Sequence, residues 1–148
     1  NPNANHNVVF WYRSDAGIAT DGGGSVQTWQ DQSGQGISAS RFKALEQPKL
    51  VLNAVNGYPA VHFDGVNDGL ALSNTQNPRT VFWVFRHQSN GAPTTQLLAS
   101  SSAGGFQGTD TTIWSPATAP QIIGGQTWLN GAAIDGRSTP WPGDWAGR

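Results

Sequence analysis

Cysteine and methionine are both absent from this chain of 148 residues. Without cysteine there is no disulfide, no thiol nucleophile and no cysteine-ligated zinc. Without methionine, Asn1 is not a translation start, so we expect the chain to be a processed or excised part of a larger parent protein. Residues 1–7 form a polar tract without apolar periodicity and are predicted to be a linker or a frayed N-terminus. Residues 8–148 are predicted to form a single domain.

Charged side chains are also scarce, at 11% of the residues, and the formal net charge is −1. Nucleic acids and anionic membranes recruit clustered lysine and arginine, so neither is an expected partner. No apolar run approaches the roughly 18 residues that cross a bilayer, so no membrane insertion is predicted. What the chain does have is glycine (19 residues) and tryptophan (7 residues) in a polar, lysine-poor background. This composition is common in secreted bacterial modules, and we expect an extracellular location, secreted or at the cell surface.

Short β-prone runs, each bounded by Gly, Pro, Asn or Asp, follow one another along the chain. One run, residues 80–85, has apolar side chains at both odd and even positions and predicts a central strand buried on both sides. The dipeptides Asn56-Gly57 and Asn130-Gly131 predict two-residue hairpin turns. No window has a convincing helical period, although residues 40–46 allow one helical turn. The fold class is therefore predicted to be all-β, a two-sheet antiparallel β-sandwich of the jelly-roll type, with strands at 8–12, 26–30, 49–52, 60–63, 69–72, 80–87, 96–100 and 127–129.

No catalytic constellation is visible, so the chain is predicted not to be an enzyme. Glycoside hydrolysis, the reaction to test first in a β-sandwich, needs two carboxyl groups on one face. The one glutamate, Glu46, is isolated in the sequence, while Asp64 and Asp68 are separated by turn residues. A polysaccharide hydrolase or lyase is accordingly the least favoured function, because all three acids must then converge in one cleft.

Residues 64–69 resemble a calcium loop but lack two of its ligands. The familiar loop carries oxygen ligands at positions 1, 3 and 5 and an acid at position 12. Here Val66 stands at position 3 and Thr75 at position 12. The favoured interpretation is an Asp/Asn/Gly turn whose side chains bond their own backbone. A weaker Ca²⁺ site built on Asp64 and Asp68 stays open as the alternative, and no other cofactor is indicated.

The tryptophans divide into two groups. One group lies inside predicted strands together with two phenylalanines and is assigned to the core: Trp11, Trp29, Trp83, Phe82 and Phe85. The other group lies among Ser, Thr, Pro, Gly and Asn. Exposed indoles can stack on sugar rings while a neighbouring amide such as that of Asn130 bonds the hydroxyls, and packing against another segment is the equally weighted alternative. The candidate ligand-binding residues are Trp114, Trp128, Trp141, Trp145 and Asn130.

Residues 8–87 resemble the laminin-G-like members of the concanavalin A-like lectin/glucanase superfamily. Five segments in order carry the resemblance: 10–16 (FWYRSDA), 26–36 (VQTWQDQSGQG), 47–50 (QPKL), 56–65 (NGYPAVHFDG) and 80–85 (TVFWVF). The resemblance implies a two-sheet jelly roll used for binding or adhesion in large secreted proteins. Some relatives bind calcium, and the glucanase branch is catalytic, but its acid-rich strand has no counterpart here.

Such domains usually close with a further apolar strand and a short helix, yet this chain ends at Arg148 where that strand is expected. We therefore expect either a fragment or a sheet completed by another chain. The leading functional hypothesis is a non-catalytic recognition or adhesion module that binds glycan or another surface polymer. The second is a structural subunit that assembles through an open sheet edge and exposed aromatics.

Overall fold

The computed structural model describes residues 8–87, 95–98, 105–109 and 111–142. It divides into two compact units, Asn1–Phe82 and Trp83–Arg148. In both units the described secondary structure is mainly antiparallel β, which confirms the all-β class.

The first unit contains a four-stranded antiparallel sheet with the strand order β1-β2-β3-β6. Val26 on β2 is fully buried and Ala39 on β3 is nearly so, which places the centre of this unit beneath the middle strands. A 3₁₀ turn at Ala44–Glu46 occupies part of the segment where one helical turn is predicted. The strands are β1 (Ile18–Thr20), β2 (Val26–Trp29), β3 (Ala39–Ser40) and β6 (Ala71–Leu72).

A hairpin in the same unit joins β4 (Lys49–Val55) to β5 (Tyr58–His62). Its turn is Asn56-Gly57, with φ values of 50° and 83° at the two positions. Positive φ at both central residues gives a turn whose twist matches that of the flanking strands, and Asn-Gly is the dipeptide that tolerates it best. The hairpin predicted from the sequence is confirmed here.

The described residues of the second unit form two two-stranded ladders and one short helix. The strand β7 (Thr95–Leu98) pairs with β8 (Phe106–Gly108), and β9 (Thr127–Leu129) pairs with β10 (Ala132–Ile134) across the predicted Asn130-Gly131 turn. The helix α1 (Pro120–Ile123) precedes β9. A buried cluster of Ile113, Trp114 and Trp141 is the core, and these partly buried side chains pack against it: Trp83, Leu97, Phe106, Ile122, Leu129 and Ile134.

Two predicted strands are wrong. Residues 8–12 form no strand, because the Trp11 N–H donates to the Asp31 carboxylate (2.8 Å) and the Trp11 C=O accepts the Gln32 N–H (2.7 Å). These backbone groups belong to a loop contact, and the first strand begins later, at Ile18.

Residues 80–87 also form no strand, and the structure gives their backbone no ladder partner in the described parts of the chain. Phe82 and Phe85, which the sequence assigned to the core, are 91% and 47% exposed. A strand with apolar side chains at both odd and even positions is buried on both faces only inside a sheet that is covered on both sides, with other strands beside it. That condition is not met among the described residues.

Candidate functional site

The candidate tryptophans occupy different environments. Trp114 and Trp141 are buried, at 6% and 8% exposure, whereas Trp128 is 60% exposed. Of the two equally weighted alternatives, surface exposure is therefore wrong for Trp114 and Trp141, which are packed inside the protein. Trp145 lies outside the described residues.

Burial of the first two indoles is possible because each ring N–H finds an acceptor. Trp114 Nε1 donates to Thr127 Oγ1 (2.9 Å), and Trp141 Nε1 donates to the Thr109 carbonyl (2.7 Å). The acceptors lie 13 and 32 residues away along the chain and meet the indoles only in the folded structure. The sequence pattern missed this because it shows which residues are adjacent along the chain, not which ones meet in space.

Two glycines make room for these rings. A Cβ placed on Gly136 would lie 2.5 Å from Trp114 Nε1, and one on Gly108 would lie 2.6 Å from Trp141 Cζ2. His87 stacks on Trp141 with 4.5 Å between ring centroids and an interplanar angle of 10°. Phe85 also packs edge-on against this indole with 5.6 Å between ring centroids, so little of the Trp141 ring is left for a ligand.

Trp128 lies on the outer face of the β9–β10 hairpin. Its strand neighbours Thr127 and Leu129 point inward, to the Trp114 indole and to the core cluster, respectively. Since alternate side chains of a strand point to opposite faces, Trp128 points outward. Directly across the ladder is Ala133, whose small side chain leaves the indole uncovered.

Asn130 occupies the first turn position of the same hairpin, with φ of 50°. Its side chain is exposed, one residue beyond the strand that carries Trp128. Trp128 and Asn130 are therefore exposed residues of the same hairpin, two positions apart. Trp114 and Trp141 are buried and do not lie on the exposed face that carries Trp128.

Asp64 and Asp68 form the turn that the sequence favoured. The Asp64 Oδ1 atom accepts the backbone N–H groups of Val66 (2.8 Å), Asn67 (3.2 Å) and Asp68 (3.3 Å), while Asp68 Oδ2 accepts Asp64 N–H (2.9 Å). These hydrogen bonds, led by that of Val66, hold the Asp64 pKa below its ordinary value. In the described parts of the chain, no group of three or more His, Asp or Glu side chains could hold a metal ion.

The acids that the hydrolase or lyase alternative requires are engaged with other partners. Glu46 forms ion pairs with Arg41 and with Lys43 (3.2 Å to the latter). A general acid of a glycosidase has a raised pKa, whereas the pKa of Asp64 is lowered. The contacts of these acids favour a structural role for them.

Asp31 organises a loop that the sequence did not single out as a site. Its Oδ1 accepts the N–H groups of Trp11 and Ser33 (both 2.8 Å), and its Oδ2 accepts the Ser33 hydroxyl (2.6 Å) and Ile37 N–H (3.3 Å). Burial raises the Asp31 pKa, but these hydrogen bonds together outweigh it and the net pKa is lowered. The signal available in the sequence was Asp-x-Ser-Gly, a pattern typical of side chains that bond nearby backbone. The segment 26–36, which resembles a family motif, therefore contains the loop that the Asp31 carboxylate holds together.

No family model matches this chain, and no curated protein and no solved structure matches it either.

No helix among the described residues has the length and apolar character that a membrane crossing requires.

Proposed function

We propose that this chain is a non-catalytic recognition module of a larger secreted or cell-surface bacterial protein, and that it binds glycan or another surface polymer through Trp128. The observation that carries the proposal is the isolated indole on the outer face of the β9–β10 hairpin, 60% exposed and opposite an alanine. A flat, rigid, exposed aromatic ring presents a large apolar area at little entropic cost, and such area usually marks an interface.

The neighbouring groups fit a sugar ligand. Asn130 provides an exposed amide with both donor and acceptor capacity in the turn of the same hairpin, two residues after Trp128. No charged residue lies on β9, in the Asn130-Gly131 turn or on β10, so the hairpin itself carries no side-chain charge that would disfavour a neutral polyhydroxylated ligand. The all-β class is shared with the laminin-G-like jelly rolls that the sequence resembles, and we propose that the described sheets belong to a two-sheet sandwich of that kind.

Glycan-array binding of the whole chain tests the proposal, with three variants compared. We expect Trp128→Ala to weaken binding at least tenfold, because it removes the stacking surface, and Trp128→Phe to retain part of the binding. Phe42→Ala is the matched control, since Phe42 is 95% exposed in the other unit. Absence of any bound glycan, or equal binding by wild type and Trp128→Ala, contradicts the proposal.

A second function is favoured by a separate observation. Phe82 and Val84 are almost entirely exposed in a segment without ladder partners in the described chain. Exposed apolar side chains on a segment without ladder partners among the described residues offer a surface for strand addition by a neighbouring chain. Assembly with other chains is therefore our second proposal.

Sedimentation velocity at several protein concentrations tests it, with Phe82→Ser as the variant. We expect concentration-dependent association of the wild-type chain and weaker association of the variant. A stably folded chain that stays monomeric at every concentration overturns assembly and leaves the glycan proposal untouched.

A further inference from the structure

The second unit contains a cleft that is separate from the exposed face of Trp128. It has a volume of about 540 Å³ and is lined by Thr112, Trp114, Pro116, Ile123 and Arg137. Thr127, whose hydroxyl accepts the Trp114 indole N–H, points to the inner face of the hairpin and Trp128 to the outer face. The volume lies within the range of small-molecule sites, which are mostly apolar with a few placed polar groups.

The polar side chains in the cleft wall are already engaged, with one exception. The Thr112 hydroxyl donates to the Trp114 carbonyl (3.1 Å) and lies 2.8 Å from Thr109 Oγ1. The Trp114 indole N–H is taken by Thr127. The wall therefore offers few side-chain partners to a ligand with many hydroxyl groups, because such a ligand loses its hydrogen bonds to water on entering.

Arg137 is the exception. Its side chain is 61% exposed, and its Nε atom makes a long contact of 3.5 Å with Asp135 Oδ1. Asp135 Oδ1 also accepts Arg137 N–H (3.0 Å), and the Asp135 carbonyl accepts Thr139 N–H (2.9 Å), so the turn that carries the guanidinium is held in place. The terminal Nη groups have no partner among the described residues. A guanidinium whose terminal Nη groups have no such partner can donate two parallel hydrogen bonds to a carboxylate.

We propose that this cleft binds a small apolar carboxylate, meaning a carbon ring or short carbon chain that carries one carboxylate group. Arg137 pairs with the carboxylate, and Trp114, Pro116 and Ile123 contact the apolar part. Asp135 accepts the backbone N–H of Arg137 and so holds the turn that carries this side chain. This site is independent of the glycan proposal, because none of the residues that line the cleft lies on β9 or β10 and the ligand chemistry is different.

NMR titration of the isotope-labelled whole chain with three probes tests the site. Benzoate carries both the ring and the charge, benzamide carries the ring without the charge, and acetate carries the charge without the ring. We expect saturable shifts with benzoate at the amides of Thr112 and Arg137 and at the Trp114 indole N–H, and about tenfold weaker binding of the other two probes.

The variant Arg137→Gln is expected to raise the dissociation constant of benzoate about tenfold, to the level of benzamide. Arg86→Gln is the matched control, because Arg86 is exposed and does not line the cleft. Trp128→Ala should leave benzoate binding unchanged, which separates this site from the glycan site. Benzamide or acetate binding as tightly as benzoate, glucuronate binding more tightly than benzoate, or an Arg137→Gln variant with unchanged affinity overturns the proposal.

Discussion

At the scale of single residues, the buried tryptophans depend on the absence of a side chain next to them. Gly136 lies against the Trp114 indole and Gly108 against Trp141. Neither glycine has a positive φ, so the requirement is steric and not conformational. A methyl group at either position must displace an indole that is fixed by its own N–H hydrogen bond.

We expect Gly136→Ala to lower the free energy of unfolding by about 1–3 kcal/mol, the range typical of an overpacked core. Urea denaturation followed by tryptophan fluorescence measures the change. Gly22→Ala is the matched control, because nothing lies within 4 Å of a Cβ at that position and its φ is ordinary. Equal stability of the two variants contradicts the contact between Gly136 and Trp114.

Tyr12 gives a prediction about pH. Burial, followed by the negative charge of Asp31, raises the Tyr12 pKa to about 12, and its hydroxyl donates to the Ile37 carbonyl. The unfolded chain releases this proton near the ordinary value of about 10. The stabilisation is thus complete below pH 10 and is lost as the pH rises towards 12.

Ultraviolet absorbance titration of the phenols should show an ionisation near pH 12 in the wild type that is missing in Tyr12→Phe. In parallel, the difference in unfolding free energy between the two proteins should shrink as the pH rises from 10 to 12. A wild-type chain in which all phenol ionisation is complete well below pH 12 contradicts the buried environment of Tyr12.

At the scale of elements, the hairpins show where local sequence suffices. In both, an Asn-Gly pair takes positive φ at the two turn positions, and that preference acts within four residues of the chain. The segment 80–87, predicted to be a strand, shows where local sequence does not suffice. The apolar pattern fits a central strand, but a strand exists only when neighbours supply the other half of each backbone hydrogen bond.

Hydrogen exchange followed by mass spectrometry distinguishes the two kinds of element. We expect peptides covering 49–62 to be protected by the β4–β5 ladder and peptides covering 80–87 to exchange rapidly, because the latter amides have no ladder partner among the described residues. Strong protection of 80–87 in the monomeric chain contradicts the unpaired state of this segment. Protection that increases with protein concentration supports assembly.

At the scale of the whole molecule, the described ladders are all antiparallel and each joins strands of the same unit. This agrees with the many short, turn-bounded runs in the sequence and with the lack of helical periodicity. The larger arrangement that we propose, a two-sheet jelly roll, rests on the motif resemblance. The placement of strands into sheets depends on contacts between residues far apart in sequence, which periodicity does not encode.

The sequence by itself determined the all-β class, the two Asn-Gly hairpins and the Asp64–Asp68 turn, because each depends on backbone preferences or hydrogen bonds within a few residues. Tertiary structure decided which tryptophans are buried. It placed the Thr127 hydroxyl and the Thr109 carbonyl where they accept the N–H groups of the Trp114 and Trp141 indoles, and it left Trp128 uncovered opposite Ala133. It also put Arg137 at the edge of an apolar cleft. Burial is a property of neighbours in space, and residues adjacent to an indole in the chain do not reveal which atoms will surround it.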